Sequence, residues 1–191
     1  AALGFHPPRG PHVVYQDESQ YSYIAVEEHP DNPRVREMIL DKLTHSEVNL
    51  DDPTDLRYEY EEIYAAVINR FYPPPEPLKA LVIGGGGYAF PRYLEVTRPG
   101  SHIEVAEIDP AVTEAAFAAF GLPRHTTIRI YNQDARNRVA DLMRAYRAKE
   151  DLARFDCIFG DSINDYTVPY HLTTLEFAEQ IHTLLSPEGM Y

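Results

Sequence analysis

Four consecutive glycines, Gly84 to Gly87, follow the apolar run Leu81-Val82-Ile83 and precede Tyr88-Ala89. Glycine has no Cβ, so such a turn brings backbone close to a ligand. A helix starting there would aim its free N–H groups and positive dipole end at the same ligand. Gly84, Gly86 and Ala89 also fit the G-x-G-x-x-A spacing of a dinucleotide-binding turn. A tight turn with no ligand is the alternative. About 20 residues downstream come Glu107, Ile108 and Asp109, where a carboxylate can accept hydrogen bonds from ribose hydroxyls. Side chains alternate along a strand, so Glu107 and Asp109 share a face and Ile108 points the other way. A solvated strand end would look the same.

Two more acidic positions complete the set. In Asn132-Gln133-Asp134-Ala135, Asp134 can accept from an adenine amino group while the Ala135 N–H meets a ring nitrogen. Asp134 can equally cap a helix, and the two roles are compatible. In Gly160-Asp161-Ser162-Ile163-Asn164-Asp165-Tyr166, Asp161 can serve as a general base or as the counter-charge to a cationic nucleophile. Plain turn chemistry is the competing reading. The eight histidines show no H-x-H or H-E-x-x-H spacing, so no metal site is expected. The single Cys157, inside the apolar run Phe155–Phe159, excludes a disulfide framework and reads as a buried thiol.

The elements that must position these groups come in two styles. Residues 1–12 are rich in Pro and Gly and read as a loose arm. Residues 13–72 read as a small antiparallel β unit followed by a helix. Tyr21–Val26 and Val35–Leu43 are strand-like, and the turn formers His29-Pro30-Asp31-Asn32-Pro33 separate them. Ile63, Tyr64, Val67, Ile68 and Phe71 recur at helical spacing and predict an amphipathic helix over 58–71. Prolines at 73–75 and 77 then make a stiff connector. Residues 78–191 alternate strands (80–83, 103–108, 127–131, 155–159) with helices (to 97, 111–120, 135–149, 172–185). This is the pattern of a parallel sheet covered on both faces. Pro187-Glu188-Gly189 reads as a turn into a fifth strand that the chain does not reach.

Formal net charge is −13 with no Lys/Arg stripe, which argues against nucleic-acid binding. An acidic surface suits a cationic substrate, and it equally suits plain solubility. No apolar run approaches the ~18 residues of a membrane span, and no basic-then-apolar leader is present. No membrane segment is therefore expected in this chain.

In this order the motifs resemble those of the polyamine aminopropyltransferases, the spermidine synthase family. The resemblance spans roughly residues 17–191. It begins with Glu18-Ser19-Gln20-Tyr21-Ser22-Tyr23-Ile24-Ala25-Val26, Leu40-Asp41 and Tyr60-Glu61-Glu62, similar to that family's E-[ST]-x-Y-Q-x-I-x-V, L-D-G and Y-H-E. It continues through Ile83–Gly86, Glu107-Ile108-Asp109, Asp134-Ala135 and Asp161-Ser162. The resemblance implies a Rossmann-like class I methyltransferase fold with a small N-terminal β domain and further strands beyond Tyr191. It implies S-adenosylmethionine or its decarboxylated form as co-substrate, held by Gly84, Gly85, Gly86, Glu107, Ile108, Asp134 and Ala135. Asp161 would take a proton from an attacking amine, with Tyr60, Glu61, Tyr88 and Asp165 toward the substrate. Methyl transfer, a non-catalytic nucleoside-binding module and a nicotinamide-dependent oxidoreductase stay open, as does a homodimer. The expected compartment is cytoplasmic, or, as the resemblance implies, the chain is a soluble domain of a larger, membrane-attached protein.

The departures from the family cluster together. The family's G-G-G-D-G carries an acid where this chain has Gly87, followed by Tyr88, and its D-S-x-D-P has an Asp where this chain has Asn164. His45 and Glu61 replace a family Gln and His. The nucleoside half is kept and the amine half is rewritten.

Overall fold

The computed structural model describes residues 10–148, 154–163 and 167–191. Four strands come first: β1 (Val13–Glu18), β2 (Tyr23–His29), β3 (Asn32–Leu40) and β4 (Leu43–Asn49). They pair antiparallel in chain order, giving the expected β unit as a four-stranded meander. Asp41 turns the β3–β4 hairpin at φ 56°, and its Oδ1 accepts from the Tyr23 N–H at 3.0 Å.

Helix α1 (Glu59–Phe71) lies where the apolar rhythm put it, with Glu59, Glu61 and Glu62 at the positive end of its dipole. Its inward face differs from the expected one. Glu61, Ala65 and Ile68 are buried. Ile63, Val67 and Phe71 are 55%, 45% and 65% exposed. The reason is aromatic packing: Tyr60 meets Tyr64, and Tyr64 meets Phe90 and Phe159 at 5.3–5.5 Å between ring centres. Tyrosines make the inward contact and rotate the aliphatic stripe outward.

The remaining elements are β5 (Lys79–Ile83), α2 (Ala89–Thr97), β6 (His102–Glu107), α3 (Pro110–Ala119), β7 (Arg129–Asn132), α4 (Ala135–Arg147), β8 (Phe155–Gly160), α5 (Leu175–Leu184) and β9 (Leu185–Met190). The five strands form a parallel sheet of order β7-β6-β5-β8-β9. The order reverses between β5 and β8, and the crevice at the carboxyl ends of those strands is where such sheets take ligands.

The C-terminal expectation needs correction. Pro187-Glu188-Gly189 is not a turn before an absent fifth strand; it lies inside β9, which pairs with β8 in an irregular register. Proline is tolerated there because β9 is the outermost strand among the described residues. Helix α5 also begins later than expected, with the Thr174 hydroxyl capping the Phe177 N–H at 3.3 Å.

The two sheets share one core. Ile24, Val26 and Met38 of the meander join Val82, Val105, Ala115 and Ala116 in a single buried cluster. Polar ties hold α3 at both ends. Ser19 donates to Asp109 Oδ2 at 2.5 Å, and Arg36 donates to the Ala119 carbonyl at 2.6 Å. Met38→Ala should therefore cost about 2–5 kcal/mol. Urea unfolding should still show one transition by far-UV dichroism and by tyrosine signal; two separated transitions would contradict the shared core.

Candidate active site

The site is built where β5 and β8 end. Gly84 has φ +100°, and a Cβ on it would stand 2.0 Å from the Asp161 carbonyl oxygen. No other residue fits against that backbone. The strands are locked on either side: Gly84 N–H donates to the Ala106 carbonyl at 2.9 Å, and Asp161 N–H to the Ile83 carbonyl at 2.8 Å. The Asp161 side chain thus hangs over the glycine turn, 3.6 Å from where a Gly86 Cβ would be.

Helix α1 supplies the facing wall. The Tyr60 hydroxyl donates to Asp161 Oδ2 at 3.2 Å, and the Tyr64 hydroxyl to the Gly160 carbonyl at 3.4 Å. Burial pushes the Asp161 carboxyl up to about 6, partly offset by the Tyr60 hydrogen bond. Burial, and then the charge of Asp161, push Glu61 up to about 8, against a hydrogen bond from the Tyr58 backbone. The Tyr60 phenol is raised by burial and by both carboxyls, so it stays a proton donor. Tyr64 was read only as a core residue. Its spacing of one helical turn from Tyr60 was the available signal.

Glu107 is buried at the end of β6 and already engaged. Oε2 accepts the Gly85 N–H at 2.7 Å, and Oε1 accepts the Asp109 N–H at 2.8 Å. Burial raises its pKa and these hydrogen bonds oppose the rise. Tyr88 is fully buried at φ 66°, a left-handed conformation that is strained for a bulky side chain. Its hydroxyl lies 2.7 Å from Thr113 Oγ1, which also accepts from Asn132 at 2.8 Å. Among the described residues no hydrogen bond or ring contact joins Tyr88 to Tyr60, Glu61 or Asp161. Gly87, at φ +82°, is walled in as well: a Cβ there would meet Phe120 Cε1 at 2.6 Å and Ser46 Cβ at 3.0 Å.

The remaining expected residues gather at β7 and α4. Asp134 caps α4 through the Arg136 N–H at 2.7 Å, and its Oδ2 is 3.0 Å from His171 Nε2. His171 comes from a short 3-10 turn, Tyr170–Leu172, and nothing in its sequence setting announced it. Ala135 is buried, and Ile108 is exposed at the carboxyl edge opposite Glu107. Asp165 and Asn164 lie outside the described residues. An open cleft of about 650 Å³ sits at the other, amino edge of the parallel sheet, lined by Lys79, His102, Glu104, Arg129 and Arg138 among others. It contains none of the expected site residues, and its His102 and Arg138 both pair with Glu104. Among the described residues no group of three or more His, Cys, Asp or Glu is placed to hold a metal ion, and no helix is long and apolar enough to cross a membrane.

No family model matches the chain. A polyamine aminopropyltransferase from Vibrio vulnificus (strain CMCP6) is 30% identical over 179 residues, covering 93% of this chain and 57% of the relative. A probable spermidine synthase from Corynebacterium glutamicum ATCC 13032 superimposes with a TM-score of 0.77 at 25% identity, covering 96% of this chain and 62% of that one. This chain is spermidine synthase-like in sequence and in fold. Human methyltransferase-like protein 13, solved in complex with SAH, is also similar, with a TM-score of 0.61 at 26% identity over 70% of this chain and 63% of that one. The spermidine synthase-like chain spans less than two thirds of the length of each of these proteins.

Two outcomes follow from this geometry. Asp161 and Glu61 hold protons more tightly folded than unfolded, so the folded chain binds extra protons above the ordinary carboxylate range of about 4. That stabilisation is complete at low pH and is lost as pH rises through about 6 for Asp161 and about 8 for Glu61. Urea denaturation should show the spermidine synthase-like chain losing stability across that window, and Glu61→Gln flattening the upper part; parallel curves would refute the assignment. Gly87→Asp, which restores the family's acid, should destabilise by on the order of 1–3 kcal/mol because φ and Phe120 both oppose it. A stability equal to the parent's would show that the turn can open.

Proposed function

We propose that this chain carries the catalytic centre of a transferase that binds a sulfonium nucleoside, S-adenosylmethionine or its decarboxylated form, and passes an aminopropyl group to an amine. The observation that carries this reading is the half-buried carboxyl of Asp161 held against the glycine turn at the β5–β8 crevice. The turn offers bare backbone to a nucleoside. Glu107 accepts the Gly85 and Asp109 N–H groups, one on each oxygen, with the Gly86 backbone beside them, and its remaining acceptor capacity suits it to a ribose hydroxyl. Exposed Ile108 offers an apolar surface to a base, beside Asp134 and the α4 N-terminus.

The bound ligand would supply an electrophilic carbon next to sulfur, with a neutral thioether as leaving group. What the chain must add is alignment and a proton acceptor. As the amine nitrogen attacks, its proton passes to the Asp161 carboxylate. With its pKa lifted to about 6, that group is mostly ionised near neutral pH yet basic enough to receive a proton. Tyr60 orients the carboxylate by donating to one oxygen.

Methyl transfer is the second reading, supported by the likeness to the human methyltransferase. The relatives give no support to the nicotinamide-dependent reading of the glycine spacing. Calorimetry with S-adenosylmethionine, its decarboxylated form and methylthioadenosine tests the proposal. Binding of at least one is expected, with turnover on an amine falling by about 10²–10⁴ in Asp161→Asn while nucleoside affinity holds. Binding of none would sink it, and methylated product in place of aminopropylated product would hand the case to the second reading.

A further inference from the structure

We propose that Glu61 is the carboxylate that reads the cationic tail of the ligand, replacing the acid that the glycine turn has lost at Gly87. The tail it accepts is a primary ammonium with no carboxylate beside it. Naming a sulfonium nucleoside as the carrier of that tail rests on the transferase reading above; recognition of an ammonium by Glu61 does not.

Position 87 resists a side chain. Its φ is +82°, and Phe120 and Ser46 occupy the space a Cβ would need. A charge lost there has to come from elsewhere if an ammonium is to be bound. Glu61 is 2% exposed, yet its Oε2 has no hydrogen-bond partner. A carboxylate oxygen buried without a donor is costly, and such groups concentrate where a ligand completes them.

Helix capping explains only part of this residue. Tyr58, the N-cap of α1, offers no side-chain cap, and the Glu61 carboxyl three residues on is placed for the Tyr58 backbone to lower its pKa, as in a capping box. That leaves Oε2 unaccounted for. Apart from Asp161, the titratable groups that interact with Glu61 are the phenols of Tyr58 and Tyr60, with Tyr64 beyond them next to Asp161. Among the described residues no Lys, Arg or His pairs with Glu61 or Asp161. Two carboxyls, Glu61 buried and Asp161 half-buried, with phenols around them and no paired cation among the described residues, form a setting that an ammonium completes. An ammonium draws the Glu61 proton off, and the pair of carboxylates then repels the carboxylate on the tail of S-adenosylmethionine.

Gln at position 61 keeps the reach-back of a capping box while removing the charge, so Glu61→Gln separates the binding role from the structural one. Calorimetry of the full chain with decarboxylated S-adenosylmethionine, S-adenosylmethionine and methylthioadenosine gives the first readout. The parent should favour the decarboxylated form by about tenfold or more, because both donors carry the ammonium and only S-adenosylmethionine brings a carboxylate against the acids. Glu61→Gln should weaken the decarboxylated form by about tenfold, shrink that preference toward what Asp161 alone supplies, and leave methylthioadenosine affinity unchanged. An affinity and a preference that survive Glu61→Gln undiminished overturn the inference. If methylthioadenosine fails to bind the parent, the nucleoside reading has failed, and propylammonium alone then decides the matter for Glu61. Binding that is lost in Glu61→Gln but kept in the exposed neighbour Glu59→Gln upholds the inference; binding equal in both, or absent from the parent, ends it.

Discussion

The site depends on one close approach, the carbonyl of Asp161 set against the Cα of Gly84. That contact is available only because Gly84 has no side chain, and it is closed by hydrogen bonds that continue β5 and β8 past their last paired residues. From it follows the position of every other group. Asp161 is turned over the glycine turn, α1 is drawn in so that Tyr60 can meet it, and Glu61 is buried with nowhere else to place its charge. A methyl group at position 84 would push the two strand ends apart and scatter all three.

Sinking two carboxyls into one crevice, Glu61 fully and Asp161 by half, is unfavourable, and among the described residues no counter-ion offsets it. Phenols stand where lysines or arginines are found in ordinary ion pairs. A tyrosine hydroxyl donates one hydrogen bond and does not neutralise charge, so both acids drift upward in pKa instead of being pinned down. The contrast within the chain is Glu104, as buried as Glu61 but bonded to His102 and Arg138, whose pKa falls. One carboxylate is built into the structure, whereas the other two are left ready for a cation.

Much of this was legible in the chain. Strand and helix alternation from Ala80 onward follows from apolar runs broken by turn formers, and it located each motif at the end of the correct strand. The cap role of Asp134 could be read from its position before a helix. Other features depend on tertiary packing that local patterns do not encode. Which face of α1 points inward was decided by Tyr64 packing edge-on and tilted against Phe90 and Phe159, with Tyr60 behind it, and an aliphatic count cannot weigh that. The pairing of His171 with Asp134 joins residues distant in sequence. Gly87 reads as a missing acid in a motif, but only the wall formed by Phe120 and Ser46 explains why no side chain stands there. Pro187 and Gly189 look like a turn until an edge strand with a loose register accommodates them.

The row of tyrosines on α1 has an optical consequence. The chain has 14 tyrosines and no tryptophan, so its near-ultraviolet emission belongs to phenols alone. Tyr58, Tyr60 and Tyr64 stack edge-on at 5.8 and 5.5 Å, and Tyr60 donates its proton to a carboxylate. Excited phenols lose light readily to such an acceptor. Whatever enters the crevice and draws Asp161 away from Tyr60 will brighten that ring, and neighbouring rings can share the change. The protein therefore carries its own lamp inside the site, with no added label.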